Sequence, residues 1–112
     1  MMTKHDAALS DIFTALADPT RRAILQHLAA GPASLGDLAQ PTGFALPTVL
    51  RHVAVLPAAG LVATTKQSRR RMCRARPETL AAAAGWLART QTAMAAQTDR
   101  LEAYLDTLQK DI

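Results

Sequence analysis

Apolar residues first return at helical spacing through Leu9, Ile12, Phe13 and Leu16, which predicts a helix from about Ala7 to Ala17. Asp18-Pro19 restarts the chain, Asp18 as an N-cap and Pro19 as the first helical residue. Ala23, Ile24, Leu25 and Leu28 then supply an apolar face until Gly31-Pro32 ends the second helix. Ser34 and Asp37 resemble a capping box with Asp in place of the longer Glu, and they open a short third helix that buries Leu35, Leu38 and Ala39. Gln40-Pro41-Thr42-Gly43 reads as a turn. A fourth helix runs from about Leu46 toward Ala58, with Pro47 in its first turn and Gly60 as its stop.

The period then changes. Leu61-Val62-Ala63-Thr64-Thr65 is short, apolar and β-branched, a polar turn follows around Gln67-Ser68, and Arg70 to Ala75 can pair back as a second strand. Pro77-Glu78 opens a last helix with no breaker but Gly85 before about Leu108. The predicted fold class is mainly α with a small β-hairpin: four helices, two strands and one long helix, in a single domain over residues 1–112. At 1.5 Å per residue that last helix is roughly 45 Å long, more than the short helices can cover. Leu80, Leu87, Met94, Leu101 and Leu108 recur along it every seven residues, with Ala84, Gln91, Thr98 and Leu105 four places after successive members. Such a seam wants another helix. Met94, Leu101, Tyr104, Leu105 and Leu108 are therefore expected in a homodimer interface, together with Ile12 and Phe13 of the first helix.

Charge adds what the pattern of apolar positions does not show. Of thirteen Lys and Arg, seven fall between Arg51 and Arg76 (Arg51, Lys66, Arg69, Arg70, Arg71, Arg74, Arg76), and that stretch has no Asp or Glu. The segments before and after it are mildly acidic, so the net +4 conceals a local +7. Local charge density is what a polyanion-binding surface needs, although a solvated basic loop has the same composition. The length of 112 residues gives a small core that would profit from a partner subunit. A lone Cys73 forms no intramolecular disulfide framework. The start MMTKHDAALSD lacks the apolar stretch of an export signal, and the longest apolar or glycine run, Leu80 to Ala88, is too short to span a bilayer. The expectation is a soluble, cytoplasmic protein.

Two short helices joined by a tight turn and followed by an arginine-rich hairpin form a winged helix-turn-helix layout. Only a helix or a two-stranded ribbon fits the major groove of B-DNA, and a flanking hairpin can reach phosphates. Projecting residues 45–56 as a helix puts Ala45, Val49, Val53 and Leu56 on a core face; Pro47, Leu50, Arg51 and Ala54 fall opposite, with Thr48 and Val55 nearby. Arg can take guanine O6 and N7 together, while Leu, Ala or a Thr methyl can lie against a thymine methyl.

Asp18-Pro19-Thr20-Arg21-Arg22-Ala23-Ile24-Leu25, then Leu46-Pro47-Thr48-Val49-Leu50-Arg51-His52-Val53, then Ala58-Ala59-Gly60-Leu61-Val62, then Arg69-Arg70-Arg71 before the Pro77-Glu78 helix start, together resemble the ArsR-type winged-helix regulators over about residues 9–108. The resemblance implies a homodimeric bacterial transcription factor, usually a repressor, that binds a pseudo-palindromic stretch of double-stranded DNA. It implies a helix-turn-helix over 34–58, a wing over 61–75, and dimerisation through the helices at about 7–17 and 78–108. By position Leu46, Pro47, Leu50 and Arg51, with Thr48 beside them, would read bases, and Lys66, Arg69, Arg70 and Arg71 of the wing would meet phosphates. Several positions depart from the family pattern. Ala45 replaces the usual Ser N-cap of the recognition helix, which loosens its first turn by about 1 kcal/mol. Pro57 removes an amide and is expected to kink or shorten that helix. Ser68 stands at the usual wing glycine, and Cys73 where an aromatic is common.

Within the family the sequence resembles the branch without metal ligands. The third helix, Ser34-Leu35-Gly36-Asp37-Leu38-Ala39, offers no soft ligand, the last helix has no histidine, and His5, His27 and His52 are scattered, so no metal site and no cofactor are expected. Cys73 between Arg71 and Arg74 could be a low-pKa thiol or simply a small apolar strand residue. No nucleophile is paired with a base and no glycine-rich loop precedes a helix, so the chain does not read as an enzyme. The competing function is a winged-helix module whose basic wing docks an acidic protein or RNA without any operator. An effector of unidentified chemistry remains compatible with either.

Overall fold

The computed structural model describes residues 3–43 and 45–110, with the side chains of Pro41 and Thr42 also outside the description. The element order is α1 (Lys4–Leu16), α2 (Pro19–Ala29), β1 (Ala33–Ser34), α3 (Leu35–Thr42), α4 (Leu46–Ala58), β2 (Val62–Gln67), β3 (Arg70–Ala75) and α5 (Pro77–Lys110). The winged helix-turn-helix arrangement expected from the sequence is present, with one strand more than the hairpin. β1 pairs antiparallel with β3, Ala33 opposite Cys73 and Ser34 opposite Met72, giving a three-stranded sheet in the order β1-β3-β2. Two residues are too few to show a strand period, and their partner lies far along the chain.

Polar caps, more than apolar periodicity, set where α1, α2 and α3 begin. Thr3 and Asp6 form a reciprocal capping box, which starts α1 at Lys4 rather than at the expected Ala7. Asp18 accepts the Arg21 amide at 3.0 Å and starts α2. The next two side chains reach backwards: Arg21 donates to the carbonyls of Ala15 and Thr14, and Arg22 to that of Leu16. These guanidinium groups satisfy the orphan carbonyls at the end of α1 and complement its dipole. That accounts for paired arginines directly after a helix break.

α3 outlasts its expected end, because the turn contracts to Gly43, which caps the helix at φ 69°. In α4, Val49, Val53 and Leu56 are buried as expected, but Ala45 is the exposed N-cap and does not belong to the core face. Pro57 does not shorten α4, which continues to Ala58. The Gly60 amide bonds the Pro57 carbonyl and the Leu61 amide that of Leu56, with Gly60 at φ 79°. This is a Schellman closure, and it ends the helix within two residues of Pro57, whose missing amide deprives the Val53 carbonyl of one helical bond. Leu61, next along, is fully buried beside Ile24, Leu38, Val49, Leu56 and Cys73.

α5 has 34 residues, about 51 Å of helix, and of them only Ala83 is buried. Gly85 does not interrupt it. The radius of gyration is 20.5 Å, against roughly 13 Å for a compact chain of this length, because the second half of α5 extends away from the rest. Among the described residues no helix is long and apolar enough to cross a membrane.

Candidate nucleic-acid interface

The outer face of α4 is held in place by its inner face. Burial of Val49, Val53 and Leu56 leaves Leu46, Pro47, Leu50, Arg51 and Ala54 exposed, with Thr48 at the margin. Leu46 and Leu50 remain 45% and 44% exposed, which is high for leucines four positions apart on one helix. The Asp18 carboxylate lies 3.5 Å from His52 Nδ1, joining the cap of α2 to the middle of α4. The Asp18 carboxyl is held below the ordinary aspartate value, first by the Arg21 amide and then by charges that include His52.

The wing stands beside this helix. Its strands pair in register from Val62 opposite Ala75 to Gln67 opposite Arg70, leaving Ser68 and Arg69 as a two-residue turn. Ser68 has φ 57°, a left-handed conformation at a position where glycine is easier, so the backbone keeps the geometry that the usual glycine would allow. An open groove of about 620 Å³ runs between the start of α3, the start of α4 and the wing; Leu46, Leu50, Arg69 and Arg71 line it. Lys66, Arg69, Arg71 and Arg51 are all exposed.

Arg70 is placed differently from its neighbours. Its Nη2 lies 3.2 Å from Ser34 Oγ and 3.5 Å from Asp37 Oδ2, so this side chain, expected on phosphate, is turned onto the start of α3. Ser34 in turn accepts the Asp37 amide at 3.1 Å. Hydrogen bonds from Ser34 and, more weakly, the Arg70 charge hold the Asp37 carboxyl below its ordinary value. The sequence showed the box of Ser34 and Asp37 but not the arginine, which comes from 33 positions further on.

Cys73 is fully buried, and burial raises its thiol pKa, against a weaker opposing effect of Arg71. It is therefore a packed strand residue rather than an activated thiol. Among the described residues no three His, Cys, Asp or Glu side chains gather as a metal site.

The expected interface residues divide into two groups. Met94, Leu101, Tyr104, Leu105 and Leu108 are exposed along α5, Met94 at 62% and Leu101 at 58%. Ile12 is 4% exposed and belongs to the core cluster of the chain. Phe13 is half-buried, its ring edge-to-face with Trp86 at a centroid distance of 5.8 Å. The pair anchors α1 to the first half of α5 in the same chain.

Residues 16–65, from the last residue of α1 into β2, match the model of a helix-turn-helix domain. The fold superposes on the crystal structure of the ArsR family transcriptional regulator RHA00566 with a TM-score of 0.75 at 42% identity, covering 83% of this chain and 96% of that one. The chain belongs to the ArsR family of transcriptional regulators. A second member of known structure, an ArsR-like transcriptional regulator from Rhodococcus sp. RHA1, is 31% identical with a TM-score of 0.67, covering 91% of this chain and 92% of that one. The HTH-type transcriptional regulator Rv2034 of Mycobacterium tuberculosis is 44% identical over 68 residues, 61% of this ArsR-family chain and 64% of the relative. The transcriptional repressor SdpR of Bacillus subtilis is 33% identical over 54 residues, 48% of this chain and 60% of that protein. The chain thus spans under two thirds of the length of these two curated relatives.

Proposed function

We propose that this ArsR-family chain is a sequence-specific double-stranded-DNA-binding regulator, acting in the cytoplasm as a homodimeric repressor on a pseudo-palindromic operator and carrying no catalytic step of its own. The observation that carries the reading is the exposed outer face of α4 opening onto a groove rimmed by wing arginines, a helix sized for the major groove with cations placed for the flanking phosphates. In this reading Leu46, Pro47, Thr48, Leu50 and Arg51 face base edges, and Lys66, Arg69 and Arg71 meet phosphates. The exposed seam of α5 joins two subunits, so that two copies of α4 reach successive major grooves roughly 34–36 Å apart. The likeness to the transcriptional repressor SdpR supports repression.

Selection of genomic fragments by the purified protein, followed by a salt titration on a recovered duplex, tests the reading. A dimer engaging six to ten phosphates loses on the order of 10³–10⁵ in affinity between 50 and 200 mM salt. Recovery of a shared pseudo-palindrome and a steep salt dependence are expected. A docking module for acidic proteins or RNA would enrich no sequence, and bulk DNA would compete as well as any selected duplex.

A further inference from the structure

Helix α4 is apolar on its outer side as well as its inner one. Opposite the sealed Val49, Val53 and Leu56, the residues Leu46, Leu50 and Ala54 follow one another at four-residue steps, all exposed, and half-buried Pro57 continues the line. A helix that is apolar all round is ordinarily enclosed. This one leaves Leu46, Leu50 and Ala54 open to solvent, and Arg51 is the only Lys, Arg, Asp or Glu it carries.

The surroundings of the stripe select what covers it. Arg69, Arg70 and Arg71 rim the groove beside Leu46 and Leu50, and Arg71 also borders a smaller depression of about 210 Å³ formed with Leu50, Ala54 and Pro57. Arg70 has Asp37 as a counter-charge, but an apolar protein surface would leave Arg69 and Arg71 facing none. Duplex DNA supplies phosphates for them and, in its major groove, displays one apolar group, the C5-methyl of thymine.

Resting on the DNA-binding reading above, we infer that Leu46 and Leu50 recognise thymine methyl groups, so that each operator half-site sets two thymines beside the guanine taken by Arg51. Side chains four apart on a helix are about 5–6 Å from one another, which puts the two methyls roughly one to two base steps apart at 3.4 Å per step. Hydrogen-bond readout by this face is confined to Arg51 and the marginal Thr48, so methyl recognition supplies the remaining discrimination.

The test starts from an operator selected by the wild-type protein out of a random duplex pool. Each thymine is then replaced singly by deoxyuridine, which keeps the pairing and the O4 acceptor and lacks only the methyl. Roughly fourfold weaker binding is expected at each thymine that a leucine covers, the loss that burial of one methyl-sized group implies. In Leu46→Ala and Leu50→Ala, both at exposed positions, one of the two penalties should disappear while circular dichroism stays that of the wild type. Deoxyuridine changing affinity less than twofold at every position, or penalties that persist in both variants, would overturn the methyl assignment and leave operator binding intact. A pool from which no sequence is enriched would overturn operator binding itself.

Discussion

The Arg70 guanidinium at the base of the wing turn lies 3.5 Å from the Asp37 carboxylate in the first turn of α3, tying together two elements 33 positions apart. Both side chains are more than half exposed, so the pair adds little stability. Its effect is to orient the wing and to neutralise one of the wing cations internally.

Arg70→Ala and Arg71→Ala should therefore behave differently on DNA. Arg71→Ala should lower the slope of log affinity against log salt by roughly one for each phosphate left without its cation. Arg70→Ala should leave that slope close to wild type while weakening binding through a looser wing, and Asp37→Asn should weaken it in the same direction. An equal fall in slope for both arginine variants would mean that Arg70 leaves Asp37 and meets a phosphate as well.

Leu101→Asp places an unpaired charge in the middle of the exposed seam of α5. Because Leu101 is exposed and lies outside the core of the chain, the winged body should still fold, and light scattering should report a monomer with little operator affinity. A wild type that is monomeric at micromolar concentration, or a variant that still dimerises, would remove α5 from the interface.

Two backbone positions accept residues that suit them better. Ala45 has the extended geometry of an N-cap (φ −63°, ψ 150°) but makes no side-chain cap bond, so Ala45→Ser should stabilise the fold by about 1 kcal/mol. Ser68→Gly relieves the positive φ in the wing turn and should stabilise by a smaller amount, because glycine also loosens the unfolded chain. Denaturant midpoints measure both, and no change in either would mean that the helix start and the turn are already satisfied by solvent.

The caps also set an acid limit. The carboxyls of Asp6, Asp18 and Asp37 are all lowered, chiefly by hydrogen bonds from Thr3, Arg21 and Ser34 respectively. A carboxyl lowered in the folded state contributes stability that is present above its unfolded value, near pH 4, and is lost as pH falls through the lower folded value. Melting temperature should thus be level above about pH 5 and drop below it. Asp18→Asn keeps an acceptor for the Arg21 amide without titrating, so its drop should be shallower; an unchanged drop would exclude Asp18 from the acid transition.

What could be read in the sequence follows from the range over which each signal acts. Local chemistry located the cap at Asp18, the stop at Gly60, the hairpin and the opposed faces of α4, because those signals lie within a turn or two of their effect. Ala45 lies off the core face because it is the N-cap, with extended backbone at ψ 150°, and a helical projection does not apply to it. Ile12 fits both a core and an interface pattern, and the packing of α1 within its own chain shows the core part of it. The back-reaching Arg21 and Arg22, the strand β1 and the link from Arg70 to Asp37 depend on tertiary proximity, which no spacing rule encodes.

Pro77 to Lys110 forms one helix without a joint, so the number of residues between Ala83, the last buried position, and Met94, where the open seam is well under way, acts as a ruler and a protractor together. One inserted residue would lengthen the strut by about 1.5 Å and swing the seam by about 100° around the helix axis, whereas seven would restore its bearing to within roughly 20° and move it about 10 Å outward. If α5 joins two copies as proposed, whole-heptad changes in it should be tolerated far better than single-residue ones, because the length of this helix would then set the distance between the two copies of α4.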